Sequence, residues 1–158
     1  SGKGMWDASV EGFEAFVASV GPILRHAFIA RYGPDVGSDV TADVFEYGWA
    51  HWATVCAKKN PAGWLYRVGQ SRSRRYFRRP VVLPPVGVDS TVDIEPGLPG
   101  GLEGLSAKQR QAVLMVHAFG YSVRETGRIL DVVPSTVQRN ADRGLARLRA
   151  RLGVKADA

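Results

Sequence analysis

Five prolines, Pro80, Pro84, Pro85, Pro96 and Pro99, fall within twenty residues, together with Gly87, Gly97, Gly100 and Gly101. Proline removes a backbone donor and clashes with the preceding turn, and glycine raises the entropy cost of order, so no helix can run through this stretch. The break lies in the middle of 158 residues, a length that suits one ordinary domain or two small ones. The expected organisation is a unit over residues 5–80, a flexible linker over 81–103 and a second unit over 104–153. Val81, Val82, Leu83, Val86, Val88, Val92 and Ile94 make the linker more apolar than a spacer requires. They are expected to lie against a partner surface or to form a short strand.

Before the break the apolar spacing is helical. Phe13, Phe16, Val17, Val20, Leu24, Ala27 and Phe28 recur at intervals of three and four, the period of one helix face. Pro22 is expected to interrupt or restart this helix, and Gly33-Pro34 to end it. A second helix is expected from about Ser38 to Ala57, with Val40, Val44, Phe45, Trp49 and Trp52 as its apolar members. A third follows Asn60-Pro61, where Asn can cap and Pro suits the first turn. Trp64 and Leu65 read as its core side chains. Its second half, Arg72 to Arg79, is basic with Tyr76 and Phe77 inside it, and Pro80 stops it.

After the break, Ser106-Ala107-Lys108-Gln109 and Ser122-Val123-Arg124-Glu125 both have capping-box spacing. In such a box the serine bonds the third backbone N–H and the Gln or Glu reaches back. The first opens a helix carrying Val113, Leu114, Val116 and Phe119 and ending near Gly120. The second opens a short helix through Ile129 and Leu130. Pro134, a good first-turn residue, then starts a long helix through Thr136, Val137, Ala141, Leu145, Leu148 and Leu152. A short helix, a turn of a few residues and a longer helix make a helix-turn-helix. The fold class is therefore all-α.

Charge is distributed unevenly. Residues 1–60 carry 5 basic and 7 acidic side chains, net −2; residues 61–80 carry 6 arginines and no acid, net +6. Residues 81–104 carry 4 acids and no base, net −4; residues 105–158 carry 10 basic and 4 acidic side chains, net +6. Two basic blocks separated by an acidic strip point to two contacts with a polyanion, although solvated helix faces would also be basic. The hydrophobic content of 45% is that of a globular chain. No apolar run is expected to be long enough to cross a bilayer, and no secretory signal is visible. The single cysteine, Cys56, can form no internal disulfide and suits a reducing cytoplasm. His26, His51 and His117 are scattered without metal-ligand spacing, so neither a metal nor a cofactor is expected.

The helix-turn-helix supplies a reading of the second basic block. An α-helix with its side chains fits the DNA major groove, and residues near the start of the second helix reach base edges. Here these are Ser135, Thr136, Gln138 and Arg139, with Arg143 further along. Gln can make two hydrogen bonds to adenine and Arg two to guanine. Asp142 is the oddity, since an acid near phosphates opposes binding unless it pairs with Arg139 or Arg143.

Leu105-Ser106-Ala107-Lys108-Gln109-Arg110-Gln111-Ala112-Val113-Leu114 resembles the opening of region 4 of the sigma-70 family. The resemblance continues through Gly120-Tyr121-Ser122-Val123-Arg124-Glu125-Thr126-Gly127-Arg128-Ile129-Leu130 and Pro134-Ser135-Thr136-Val137 to Arg143-Gly144-Leu145-Ala146-Arg147-Leu148-Arg149. Upstream, Asp39-Val40-Thr41-Ala42-Asp43-Val44-Phe45 resembles the region 2 helix that docks on polymerase, and Gly63-Trp64-Leu65-Tyr66-Arg67-Val68 the signature before the promoter-reading helix. Both sets occur in the right order, and the chain is identified as similar to the extracytoplasmic function (ECF) sigma factors.

The resemblance implies a transcription initiation factor of the cytoplasm with no chemistry of its own. Region 2 would hold the clamp of core RNA polymerase through Asp39, Asp43 and Glu46. It would meet the −10 promoter element through Arg67, Arg72, Arg74, Arg75, Tyr76, Arg78 and Arg79. Trp64, Tyr66, Tyr76 and Phe77 are rings on which unpaired bases could stack. Region 4 would hold the polymerase flap and read the −35 element. The acidic linker would thread toward the active-site channel, imitating nucleic acid. An anti-sigma protein is a common further partner in the family. No fused regulatory domain and no membrane insertion are expected.

Ser71 and Arg75 stand where the family usually places Asn and Asp, and Gln138-Arg139-Asn140 where it often has Lys-Ser-Arg. These departures bear on which bases are read, not on the fold. Two rival readings come from other classes. Asp39, Asp43 and Glu46 at i, i+4 and i+7 could line a metal-binding bundle, but such bundles add a Glu-x-x-His pair that is absent here. A helix-turn-helix regulator acting without core polymerase would explain region 4 and leave the region 2 resemblance unexplained.

Overall fold

The computed structural model describes residues 5–77 and 102–153, and the regular elements among them are all helical. Helix α1 spans Val10–Tyr32, α2 Pro34–Ala50, α3 Trp52–Val55 and α4 Pro61–Phe77. Helix α5, Ala107–Val113, continues into a π-helix, Leu114–Ala118, followed by α6, Val123–Leu130, and α7, Pro134–Arg151. The described residues form two compact units, one made by α1–α4, to which Arg128–Asp131 are counted, and one by the remaining C-terminal residues. Arg78, Arg79, Pro80 and most of the acidic linker lie outside the described residues.

In the N-terminal unit, Ser9 caps α1 by accepting the Gly12 N–H at 3.1 Å. The helix runs unbroken through Pro22, against expectation. Pro22 and Ala18, whose carbonyl loses its partner to the proline, are both exposed, so water can satisfy that carbonyl. By length and composition α1 is also apolar enough to cross a membrane, which corrects the expectation that no segment would be. Its packing gives those apolar residues another use. Phe16, Leu24, Ala27 and Phe28 are fully buried with Val40 and Val44 of α2 and Leu65 of α4.

Phe16 and Phe13 face Trp52 at 5.1 and 5.3 Å between ring centroids, and Trp6 meets Phe16 edge-on at 5.3 Å. The Trp52 indole N–H donates to the Asp7 carbonyl at 2.8 Å. Gly33, with φ +89°, turns α1 directly into α2, so α2 begins at Pro34, earlier than its spacing predicts. It ends at Ala50, and Trp52 belongs to the separate short α3. At Gly69 an added Cβ would run into the Phe28 ring and Val44, so glycine lets α4 approach the α1–α2 pair.

In the C-terminal unit both capping boxes form. Ser106 accepts from the Gln109 N–H while Gln109 Oε1 accepts from the Ser106 N–H, each at 3.2 Å. Ser122 and Glu125 do the same at 3.0 and 3.1 Å. The first helix widens where Phe119 N–H donates to the Leu114 carbonyl, five residues back, a π-turn that its apolar spacing did not show. Ala112, Val137 and Ala141 form a buried cluster, flanked by Val116 and Val123. Leu148 joins the buried set, but Leu152 is exposed and is not core.

Candidate nucleic-acid interface

Two separate faces carry the side chains that the sequence singles out. The first lies on α2 and α4. Asn60 opens α4 by accepting the Gly63 N–H on its side-chain oxygen at 3.1 Å. The helix then buries Leu65, Tyr66 and Ser73 and leaves Arg67, Ser71, Arg74 and Arg75 exposed. The roles of Trp64 and Tyr66 are exchanged relative to the sequence reading. Trp64, expected in the core, is 39% exposed and holds the Lys58 ammonium over its ring at 4.2 Å. Tyr66, expected as a stacking platform, is buried and stacked on Phe28 at 5.3 Å. The first faces outward and the second inward because they lie about 200° apart on the same helix. Tyr76 is half-buried, and its hydroxyl donates to the Asp39 carbonyl at 3.4 Å.

The acidic members of this face are on α2. Asp39 and Glu46 are exposed and Asp43 is half-buried. Asp43 accepts from Arg72 at 2.7 Å, and the Arg72 guanidinium also lies 5.1 Å from the centre of the Tyr47 ring. Asp39, Asp43 and Glu46 line an open groove with Ala42, Arg75 and Tyr76. No cluster of three or more metal-ligating residues occurs among the described residues. The groove thus places acidic and basic groups side by side, an arrangement suited to charged macromolecular partners.

The second face is the helix-turn-helix. Helix α6 ends at Leu130, and Asp131, Val132 and Val133 form the turn. Asp131 takes φ +56°, which Asp tolerates better than most residues. Val132 N–H returns to the Gly127 carbonyl at 2.9 Å, and a Cβ at Gly127 would meet the Val132 carbonyl oxygen at 2.7 Å. Helix α7 then buries Val137, Ala141, Gly144 and Leu148 on one face. It exposes Ser135, Gln138, Arg139, Asp142 and Arg143, with Thr136 half-buried beside them. All five residues predicted to read the −35 element are thus brought to one stretch of α7. Asp142 pairs neither with Arg139 nor with Arg143 in any described contact. It accepts from Gln138 Nε2 at 2.9 Å. Arg147 donates to Gln109 at 3.3 Å, tying α7 to the first capping box.

Residues 101–148 match the family model of sigma-70, region 4. The fold of the chain matches that of the sigma factor RpoE from Bartonella quintana, solved in complex with the anti-sigma factor NepR, with a TM-score of 0.62 and 23% identity. That match covers 93% of this chain and 100% of the other. CnrH, solved in complex with the cytosolic domain of CnrY, matches with a TM-score of 0.57 and 19% identity, over 94% of this chain and 92% of the other. No curated protein sequence matches it. The fold is thus the all-helical one of these two structures, and residues 101–148 carry the likeness to sigma-70, region 4.

Proposed function

We propose that this protein is a sigma factor that directs promoter-specific initiation, with its two units divided between the promoter elements. Residues 5–80 hold the polymerase clamp through Asp39, Asp43 and Glu46. They meet the −10 element through Arg67, Arg72, Arg74, Arg75 and Tyr76, followed by Arg78 and Arg79. Residues 104–153 read the −35 element through Ser135, Thr136, Gln138, Arg139 and Arg143, and 81–103 connect the two.

The observation that carries this reading is the two-sidedness of α7. Val137, Ala141 and Leu148 are buried, while Ser135, Gln138, Arg139 and Arg143 are exposed at the end of the helix that enters a major groove. Function is binding without bond chemistry, and it is exercised where polymerase and chromosome are, in the cytoplasm. The sigma factor RpoE was solved with the anti-sigma factor NepR and CnrH with the cytosolic domain of CnrY, and an anti-sigma partner is proposed here too.

Run-off transcription with core RNA polymerase on a genomic fragment library tests the proposal. Defined transcripts that require the chain are expected. Tight footprints by the isolated protein, with no core-dependent transcript, would favour a regulator that acts without polymerase.

A further inference from the structure

The one acidic residue on the exposed face of α7 does not meet a cation. Asp142 accepts from the Gln138 side-chain amide, Nε2 to Oδ1, at 2.9 Å. The two are one helical turn apart and both exposed. From this contact we infer that Asp142 is a positioning residue that sets the amide of Gln138 for adenine, an inference that rests on the placement of α7 in the −35 major groove.

The physical argument concerns which way the amide faces. A Gln side chain ends in a carbonyl acceptor and an NH2 with two donors, and the two ends can exchange by rotation. An ionised carboxylate only accepts, so only the NH2 end can face Asp142. Turned the other way, Oε1 would oppose the carboxylate oxygens. With one N–H engaged by Asp142, Gln138 keeps one N–H and Oε1 on its outer edge. That donor–acceptor pair matches adenine, whose major-groove edge offers the N7 acceptor and the N6 donor. Guanine offers two acceptors, N7 and O6, in the same places, and a fixed Oε1 would oppose O6. An unrestrained amide discriminates less, because it can turn or withdraw. The same contact accounts for an acid on a helix that approaches phosphates: its charge opposes non-specific attraction while its oxygen orders a base-reading side chain.

The test is a randomised −35 selection carried out with core RNA polymerase and the full chain, comparing wild type with Gln138→Ala, Asp142→Ala and Asp142→Asn. Asp142→Asn removes the charge and keeps an acceptor oxygen. Wild type is expected to prefer adenine over guanine at one position. Asp142→Ala is expected to lower that ratio by about three- to tenfold, a part of the discrimination a bidentate pair supplies. Asp142→Asn should retain most of the preference, and both variants should bind non-specific duplex more tightly as the repulsion is lost. Unchanged preference in Asp142→Ala, with Gln138→Ala altered, overturns the positioning role. Equal loss in Asp142→Ala and Asp142→Asn overturns it too, because charge rather than acceptor geometry would then be the cause. If Gln138→Ala itself selects the wild-type sequences, the groove placement of α7 fails, and the inference falls with it.

Discussion

The Arg72 guanidinium donates to the Asp43 carboxylate at 2.7 Å, joining the basic helix α4 to the acidic helix α2. Their side chains are 29% and 19% exposed, so neither is an ordinary surface charge. Removing one member leaves the other partly desolvated and unpaired, which costs about 1–3 kcal/mol. Arg72→Ala and Asp43→Ala should each lower the denaturation midpoint, and the double variant should lose less than the sum. Arg74 and Arg75 are exposed and should cost at most about 0.5 kcal/mol of stability when replaced by alanine. Additive losses at Arg72 and Asp43 in chemical denaturation would show that the pair is not coupled.

That difference decides how the proposed −10 contact is tested. Arg74→Ala with Arg75→Ala should hinder open-complex formation while leaving the fold intact, and each lost phosphate contact should reduce the salt slope of binding by about one unit. Normal permanganate reactivity of the melted promoter in the double variant would contradict the assignment.

The proposed polymerase contact is best probed at the exposed acids. Asp39→Arg combined with Glu46→Arg should abolish capture of core polymerase and leave thermal stability near wild type, since neither carboxylate is buried. Retained core affinity in a pull-down would remove α2 from the interface. Asp43 is a poorer choice, because its loss also breaks the contact with Arg72.

Tyr66 and Trp64 should respond in opposite ways. Tyr66→Ala empties a site stacked on Phe28 and should cost about 3–5 kcal/mol, as buried aromatic truncations do. Trp64→Ala should cost far less stability, because its ring is part of the surface. Equilibrium unfolding of the two variants checks this, and equal losses would place Trp64 in the core after all.

In α7, Arg139→Ala should relax base preference at one or two −35 positions and cost about 1–3 kcal/mol there. Arg149→Ala should at most weaken binding evenly across sequences, because that residue lies further along α7, where phosphates or polymerase are in reach. Identical sequences selected by wild type and the Arg139 variant would mean that Arg139 reads no base.

His26 supplies a pH dependence. Burial, aided by the neighbouring positive Arg25, holds its pKa below the ordinary 6.5. The unfolded chain therefore takes up a proton at His26 before the folded one does. Stability should fall as pH drops from 6.5 toward the lowered folded value, and be unaffected by this group above that window. His26→Gln should flatten the slope of the thermal midpoint between about pH 7 and pH 5; an unchanged slope would assign the dependence elsewhere.

Much of this molecule was legible in its sequence because the signals are local. Capping boxes at Ser106 and Ser122, the Asn60-Pro61 start of α4 and the Pro134 start of α7 depend on residues three or four apart, and the backbone follows them. The exposed stretch of α7 follows from the spacing of Val137, Ala141 and Leu148, which leaves Gln138, Arg139 and Arg143 outside. What spacing could not reveal depends on residues distant along the chain or on choices among partners within reach. Tyr66 is buried against Phe28, 38 positions earlier in the sequence, and Trp64, on the other side of α4, faces outward. Pro22 is tolerated because its side of α1 meets water. Arg72 turns to Asp43 on another helix, and Asp142 takes Gln138 in place of the arginines beside it. Local hydrogen bonding and periodicity set the helices, whereas the place of each buried ring and the Arg72–Asp43 pair were settled only when the helices packed.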